Sequence, residues 1–425
     1  MALKPLALFQ THRFISSGFN CLLLSLNYRP VEFLSDKIKN LPESQTIAMS
    51  QKSRQMKEAG IDVINLSLGE PDFNTPDFIK DAAKTAIDEN YSSYPPVPGY
   101  LSLREAISNK FLRDNQLHYG ANQTVVSTGA KQSIMNVVLS LVNPGDEVII
   151  PAPYWVSYMA MIKMAGGTPI VIECDIEGDF KLNASKLSKH ISSKTRLMIF
   201  SSPCNPSGSV YSSAELDDLA SEIAKHKSMF VISDEIYEHI LFEGSHDSLA
   251  RRAEVFDQCI TVNGVSKGFA MTGWRIGYIG APEWIAKACT KMQGQFTSGA
   301  SSISQKAAEA AVNADPKVTH EMRAAFKRRR ALLIEELGQI KGFKLNEPKG
   351  AFYLFPDISE LLGKSYQGVQ INTSTELCMY LLEKANVAIV TGEAFGSPNC
   401  VRFSYATSDE ILIEACKRIS EALKH

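Results

Sequence analysis

The chain is predicted to be an α/β protein with a mostly parallel central sheet and a second, smaller α+β lobe. Three observations lead there. Between Thr124 and Pro282, short β-branched runs alternate with helical patterns. Those runs are apolar throughout, as in strands covered on both faces. After Ala300 the alternation gives way to helices and then to brief strand-like runs. At 425 residues the chain exceeds what one small core organises, so two lobes are expected.

In chain order, the strand-like runs are 124–128, 147–151, 169–174, 196–201, 229–233, 259–263 and 275–279. Helical patterns fill gaps such as 131–141 and 213–226. In the second lobe, helices run to Ile340 and strands are expected at 352–355 and 401–404. Segment 36–65 is expected to pack with that lobe. The expected division is an extension over 1–31, an N-terminal segment over 32–73, a large domain over 74–312 and a small domain over 313–425. Neither a repeat nor a flexible linker interrupts it, so close apposition of the lobes is expected.

Composition narrows the function. Apolar residues make up 44%, charged residues 21%, and net charge is −2, so nothing marks a nucleic-acid binder. The one basic run, Lys327-Arg328-Arg329-Arg330, reads as the solvated face of a helix over 317–340, beside an apolar stripe of Met322, Phe326, Leu333 and Leu337. No stretch of 18 apolar residues occurs, so no membrane span is expected. Eight cysteines form no Cys-x-x-Cys pair, which fits a reducing compartment and free thiols packed as small hydrophobes. The eight histidines lack metal-binding spacing, and no metal is expected. Residues 1–31 hold Lys4, Arg13 and Arg29 without an acid, which reads as a targeting peptide, a disordered extension or an upstream start codon. A cytoplasmic protein is expected ahead of an imported one.

Ligands of such sheets sit at the carboxyl ends of the strands, so the residues after each strand are the candidates for chemistry. The first strand leads into Gly129-Ala130-Lys131, small residues at a helix N-terminus where backbone N–H groups can reach a phosphate. No Walker motif is present, and Gly273, Gly277 and Gly280 do not make a dinucleotide fingerprint. Strand 196–201 runs into Ser202-Pro203-Cys204-Asn205-Pro206-Ser207-Gly208, which by itself is a plain turn with Cys204 as packing. Strand 229–233 ends in Asp234-Glu235-Ile236-Tyr237. An unpaired carboxylate at the edge of an apolar core is costly, so Asp234 is expected to need a cationic partner. Strand 259–263 leads to Ser266-Lys267, where desolvation would depress the lysine pKa and make a nucleophilic amine. Arg275, eight residues on, suggests a shared anionic ligand such as a phosphate.

The run Ser266-Lys267-Gly268-Phe269-Ala270-Met271-Thr272-Gly273-Trp274-Arg275 resembles the lysine signature of class I aminotransferases, fold-type I enzymes that use pyridoxal 5'-phosphate (PLP). The resemblance spans roughly Asp36 to the C-terminus and is nearest the bacterial-type aspartate branch, which includes prephenate aminotransferases. It implies that Lys267 carries PLP as a Schiff base and shuttles the proton of the reaction. Asp234 would pair with the pyridine nitrogen. Tyr237 and Asn205 would hydrogen-bond the ring's phenolic oxygen, and Trp155 would stack on the ring. Arg275, Ser266 and the backbone of Gly129, Ala130 and Lys131 would hold the phosphate. Arg402 and the backbone of Gly69 would hold the substrate α-carboxylate, with Trp155 and Asn205 beside it. Lys131 and Thr46 would hold a distal carboxylate, since a lysine at a helix N-terminus opposes the macrodipole and calls for an anion. Tyr94 would reach the phosphate of a neighbouring subunit, implying a homodimer with shared sites. The activity so implied is transfer of an amino group from an L-amino acid, aspartate or glutamate first, to a 2-oxo acid, with prephenate as the alternative acceptor. A decarboxylase, a lyase or an aminocyclopropane-carboxylate synthase could use the same lysine, aspartate and arginine. A non-catalytic regulator would need an added DNA-binding module or a lost lysine, and neither is seen.

Overall fold

The computed structural model describes residues 33–39, 41 and 45–424. The readings on residues 1–31 lie outside it, as does the side chain of Thr46. The described part of a first unit, which ends at Leu41, carries the exposed helical turn Asp36–Lys39. Everything below concerns the second unit, from Pro42 onward.

Strands in chain order are β1 (Ile64–Asn65), β2 (Thr124–Ser127), β3 (Glu147–Ala152), β4 (Thr168–Glu173), β5 (Thr195–Ser201), β6 (Phe230–Asp234), β7 (Cys259–Gly264), β8 (Gly277–Gly280), β9 (Tyr353–Leu354), β10 (Lys364–Tyr366), β11 (Val369–Ile371), β12 (Val387–Ala388), β13 (Val390–Thr391) and β14 (Val401–Ser404). Seven form the central sheet in the order β2-β8-β7-β6-β5-β3-β4. Only β8 runs antiparallel to its neighbours. The fold is therefore α/β with a mostly parallel sheet. Apart from the edge strand β4, which is mostly exposed or half-buried, its strands are buried on both faces: Val126, Ile149, Met198 and Val231 enter one core, while Val125, Val148, Ile150, Leu197, Ile199 and Ile232 enter the other. Register places Ser201 level with Asp234, and Asp234 level with Val262, at the carboxyl edge.

A third core lies among the helices His320–Gly338, Ser374–Lys384 and Asp409–Ala422 and the antiparallel sheet β13-β14-β9. Residues 45–65 pack with these C-terminal elements. Met49 and Met56 of helix Gln45–Glu58 lie against Val63, Leu382 and Ala388, and β1 pairs in parallel with β12.

Two sequence readings need correction. The strand expected at 275–279 begins only at Gly277, because Arg275 adopts the left-handed conformation at φ 56°. The basic run is not a wholly solvated face. Arg329 and Arg330 are buried; Arg329 donates to both oxygens of Asp72 at 2.7 and 2.9 Å, and Arg330 donates to the Pro348 carbonyl at 2.7 Å. The apolar stripe of Met322, Phe326, Leu333 and Leu337 is buried, and the two arginines accompany it inward because each finds an acceptor there.

Candidate active site

At the carboxyl edge of the sheet lies a cavity of about 540 Å³. Gly69, Ala130, Lys131, Trp155, Asn205, Asp234, Tyr237, Ser266, Lys267, Arg275 and Arg402 all line it. Eleven residues drawn from widely separated parts of the chain thus meet at the strand ends, some expected there from their positions and others, such as Gly69, Trp155 and Arg402, only from the resemblance. Gly129 stands just outside the lining. Its φ is +83°, and a Cβ there would come within 2.2 Å of Arg275 Nη2, so only glycine lets the guanidinium lie against the start of helix Ala130–Leu141. Tyr94 does not line the cavity and is 97% exposed.

Lys267 follows β7 in a turn and is enclosed by protein. Its Nζ donates to the Gly69 carbonyl and lies 5.8 Å from the Tyr237 ring centroid. Burial pushes its pKa down to about 8; Glu70 resists that shift, while Arg402 and Arg275 add to it. An amine so placed is partly neutral near pH 7, as a nucleophile must be.

Asp234 is the last residue of β6 and is 5% exposed. The cationic partner expected for it is not a protein side chain in direct contact. Instead Tyr158 donates to Oδ2 at 2.7 Å and the Ile236 amide to Oδ1 at 3.3 Å. Burial raises its pKa to about 6 against the opposing Tyr158 hydrogen bond. A carboxylate held this way gains most from a protonated ring nitrogen.

Arg402, on β14, is buried. It donates from Nη1 to Asn205 Oδ1 at 2.9 Å and from Nη2 to the Ser67 carbonyl at 2.6 Å, while Nε has no partner. Asn205 thereby engages its oxygen with Arg402, so the donor it can offer the cavity is its amide nitrogen. Lys131 remains solvent-exposed as a residue, with its ammonium 5.0 Å from the Trp155 ring centroid. Partial burial of that amine, and then the nearby Arg275, press its pKa down. Arg275 donates to the Thr272 carbonyl at 2.9 Å.

Sequence reasoning missed four contributors. Tyr158 holds Asp234, and Tyr353 shares a 2.8 Å hydrogen bond with the Tyr237 hydroxyl. Ser67 supplies a carbonyl to Arg402, and Glu70 accepts from Thr272 at 2.7 Å at the cavity rim. No local pattern announces them, since each acts on a partner far away in sequence.

PLP fits this donor set. The chain offers a buried amine of lowered pKa, a buried carboxylate without a bound cation, a guanidinium against a helix N-terminus that only glycine permits, and an arginine with an unpartnered buried N–H. Fold and site together define a PLP-dependent enzyme.

The comparisons with known proteins agree. The family model for aminotransferase class I and II matches residues 61–419. A bifunctional aspartate aminotransferase and glutamate/aspartate-prephenate aminotransferase of Petunia hybrida is 47% identical over 92% of this chain and 82% of its own. An aspartate/prephenate aminotransferase of Cereibacter sphaeroides is 46% identical over 91% of this chain and 98% of its own. The crystal structure of an aspartate aminotransferase from Rhizobium meliloti matches with a TM-score of 0.89 at 41% identity, covering 92% of this chain and 98% of that one. The chain belongs to the class I and II aminotransferases, in the branch whose named members are aspartate and aspartate/prephenate aminotransferases. It is a PLP-dependent transaminase of fold-type I that acts on small molecules. Among the described residues, no helix is long and apolar enough to cross a membrane.

Proposed function

We propose that the preferred amino donors are aspartate and glutamate, with 2-oxo dicarboxylic acids as acceptors and prephenate as a further acceptor. One observation carries this reading. Besides Lys267, the cavity presents three cations, Lys131, Arg275 and Arg402; Arg275 and Arg402 hydrogen-bond to carbonyl and amide oxygens, and the Lys131 ammonium lies over the Trp155 ring. That number suits one phosphate and two carboxylates. Arg402 would take the α-carboxylate with its free Nε edge, Lys131 the distal one, and Arg275 the phosphate with Ser266 and the backbone of residues 129–131. Thr46 would assist Lys131. The activities for which the petunia and Cereibacter relatives are named favour the same substrates.

When bound, PLP supplies an aldehyde that joins amines and a ring that withdraws electrons from the substrate α-carbon. The protein's share is proton handling and positioning. Lys267 would hold the cofactor, yield its place to the substrate amine, and then carry the proton to and from the α-carbon. Asp234 would keep a proton on the ring nitrogen. Tyr237 and the Asn205 amide would donate to the ring's phenolic oxygen, and Trp155 would cover the ring face.

A donor panel of aspartate, glutamate, alanine and phenylalanine, run against oxaloacetate, 2-oxoglutarate and prephenate, tests the substrate reading. Lys131→Ala should cut kcat/KM for aspartate by about 2–4 kcal/mol of transition-state stabilisation and alanine far less. Equal losses on both donors would reject Lys131 as the distal anchor.

The exposure of Tyr94 supports a homodimer in which it completes the partner's site. Mixing Tyr94→Phe and Lys267→Ala subunits should then give hybrids with one site free of both changes and partial activity. A fully active monomer by light scattering contradicts this. The division into a large domain (74–312) and a small domain (313–425) joined by 32–73 belongs to the same reading. So does a cytoplasmic location, supported by seven buried free thiols among the described residues and testable by cell fractionation.

A further inference from the structure

We propose that Tyr353 is a positioning residue that orients the proton of the Tyr237 hydroxyl and braces Arg402, so that one buried side chain serves both the cofactor ring and the substrate carboxylate. This rests on the reading in which Tyr237 donates to the ring oxygen.

Tyr353 opens β9 and pairs with Ser404 of β14. Ser404 and Arg402 lie two residues apart on one strand and share a face, so Tyr353 and Arg402 are diagonal neighbours across the sheet. The guanidinium carbon stands 4.5 Å from the Tyr353 ring centroid. With Phe395 at 5.0 Å, the ring encloses a cation that lacks a carboxylate partner. The Tyr353 hydroxyl also lies against Gly69, where a Cβ would come within 2.7 Å of it. Gly69 is the residue whose carbonyl accepts from Lys267. Tyr353 therefore touches three parts of the site without lining the cavity.

Proton counting sets the direction of the Tyr237–Tyr353 bond. Each phenol has one proton. If Tyr237 donates into the cavity, the 2.8 Å contact between the two hydroxyls can only be filled by the proton of Tyr353. The chain then runs one way, from Tyr353 to Tyr237 to the ring oxygen. Accepting a hydrogen bond polarises the Tyr237 O–H and makes it a stronger donor. A stronger donor to the ring oxygen favours the unprotonated form of the Lys267 nitrogen once it is joined to the cofactor. Removing the Tyr353 hydroxyl should raise that pKa. Phenylalanine would leave the ring under Arg402 in place, so the two roles separate.

The test uses the PLP-loaded enzyme with two readouts: the pH titration of its absorption without substrate, and the Kd of maleate, a dicarboxylate with no amino group. Tyr353→Phe should raise the absorption pKa by roughly 0.5–1 unit, the worth of one neutral hydrogen bond. It should change the maleate Kd by less than about two-fold. Tyr353→Met, apolar but without a ring, should shift the titration and also weaken maleate roughly five-fold or more. A shift in Tyr237→Phe with none in Tyr353→Phe overturns the proposal alone. Parent-like maleate binding in Tyr353→Met removes the bracing role and overturns it as stated. No shift in Tyr237→Phe overturns the placement of Tyr237 itself, and the proposal with it.

Discussion

The segment Ser233–His239 has two sides, and they handle buried charge in opposite ways. On the cavity side, Asp234 and Tyr237 face the ligand space. Behind them, Glu235 and Glu238 enter a buried polar network. Glu235 accepts from Ser233 at 2.9 Å and Ser248 at 2.6 Å and meets His246 at 2.9 Å. Glu238 is ion-paired with Lys110 and accepts from Asn115 at 2.6 Å, and His239 lies 3.2 Å away. Burial alone would raise Glu238, but Lys110, His239 and His246 hold its pKa down at about 2. Burial raises Asp234 to about 6 because its contacts are a phenol and an amide rather than a cation. Glu235, Glu238 and His246 approach within 4.8 Å of one another, yet the Lys110 ammonium already supplies the positive charge there. Behind the strand end, protein groups supply the partners of both carboxylates; at its front, the cofactor and substrate would supply them.

The largest effect that can break this comparison is at Lys267. Lys267→Ala should abolish the yellow colour of the lysine-bound cofactor and lower turnover by roughly a thousand-fold or more, the scale of losing nucleophile and proton carrier together. Near-normal turnover in the purified variant, without added amine, would remove Lys267 from the mechanism. Next, Asp234→Asn should lose roughly a hundred-fold in kcat, because an amide cannot hold the pyridinium proton. Activity within a few-fold of the parent would mean Asp234 is not the ring's partner.

The same two carboxylates should differ in the cofactor-free protein. The folded-state pKa of Asp234 is raised from 3.8 to about 6, so the folded state binds the extra proton. Stability owed to this group is therefore highest below pH 4 and falls as pH climbs through about 6, by up to about 3 kcal/mol. Glu238 is depressed from 4.5 to about 2, so its contribution is present above pH 4.5 and is lost as pH falls toward 2. Glu238→Gln should cost about 3–5 kcal/mol by stranding Lys110. Cofactor-free Asp234→Asn should unfold no earlier than the parent at pH 7. Thermal melts across pH read both, and the opposite order would refute the contrast. The smallest effect expected is Ser248→Ala, which removes one donor from Glu235 at a cost of about 1–2 kcal/mol. Its Tm should fall while kcat holds; the reverse pattern would place the rear network in the reaction.

The strands were legible because β5, β6 and β7 bury both faces and so show unbroken apolar runs. Their ends fall within a residue or two of the expected places. Asp234 and Lys267 were legible because one ends such a strand and the other stands just past one; the turn that holds Asn205 took its role only from family resemblance. Arg402 could be assigned a role only through family resemblance; its position on β14 carries no strand-end signal. Tyr158 and Tyr353 were not legible, since their partners lie 76 and 116 residues away. The burial of Arg329 was hidden for the same reason: its acceptor, Asp72, is 257 residues distant. A basic run looks solvated until its acceptor is known.

Those long spans also bear on the order in which the molecule assembles. Arg402 reaches back 335 residues to the Ser67 carbonyl, the Ser404 amide donates to the Leu66 carbonyl at 2.8 Å, and β1 pairs with β12. During synthesis, residues 64–67 are made long before any of these partners exists, so the segment that presents Gly69 to Lys267 waits for the last strand. Loop closures of this length are slow. A ribosome-bound chain stopped after Gly280 holds the whole seven-stranded sheet, Asp234 and Lys267, yet it lacks the backbone partners that fix Gly69. Every strand of the central sheet is made before those partners exist, so the substrate grip is among the last features to be completed.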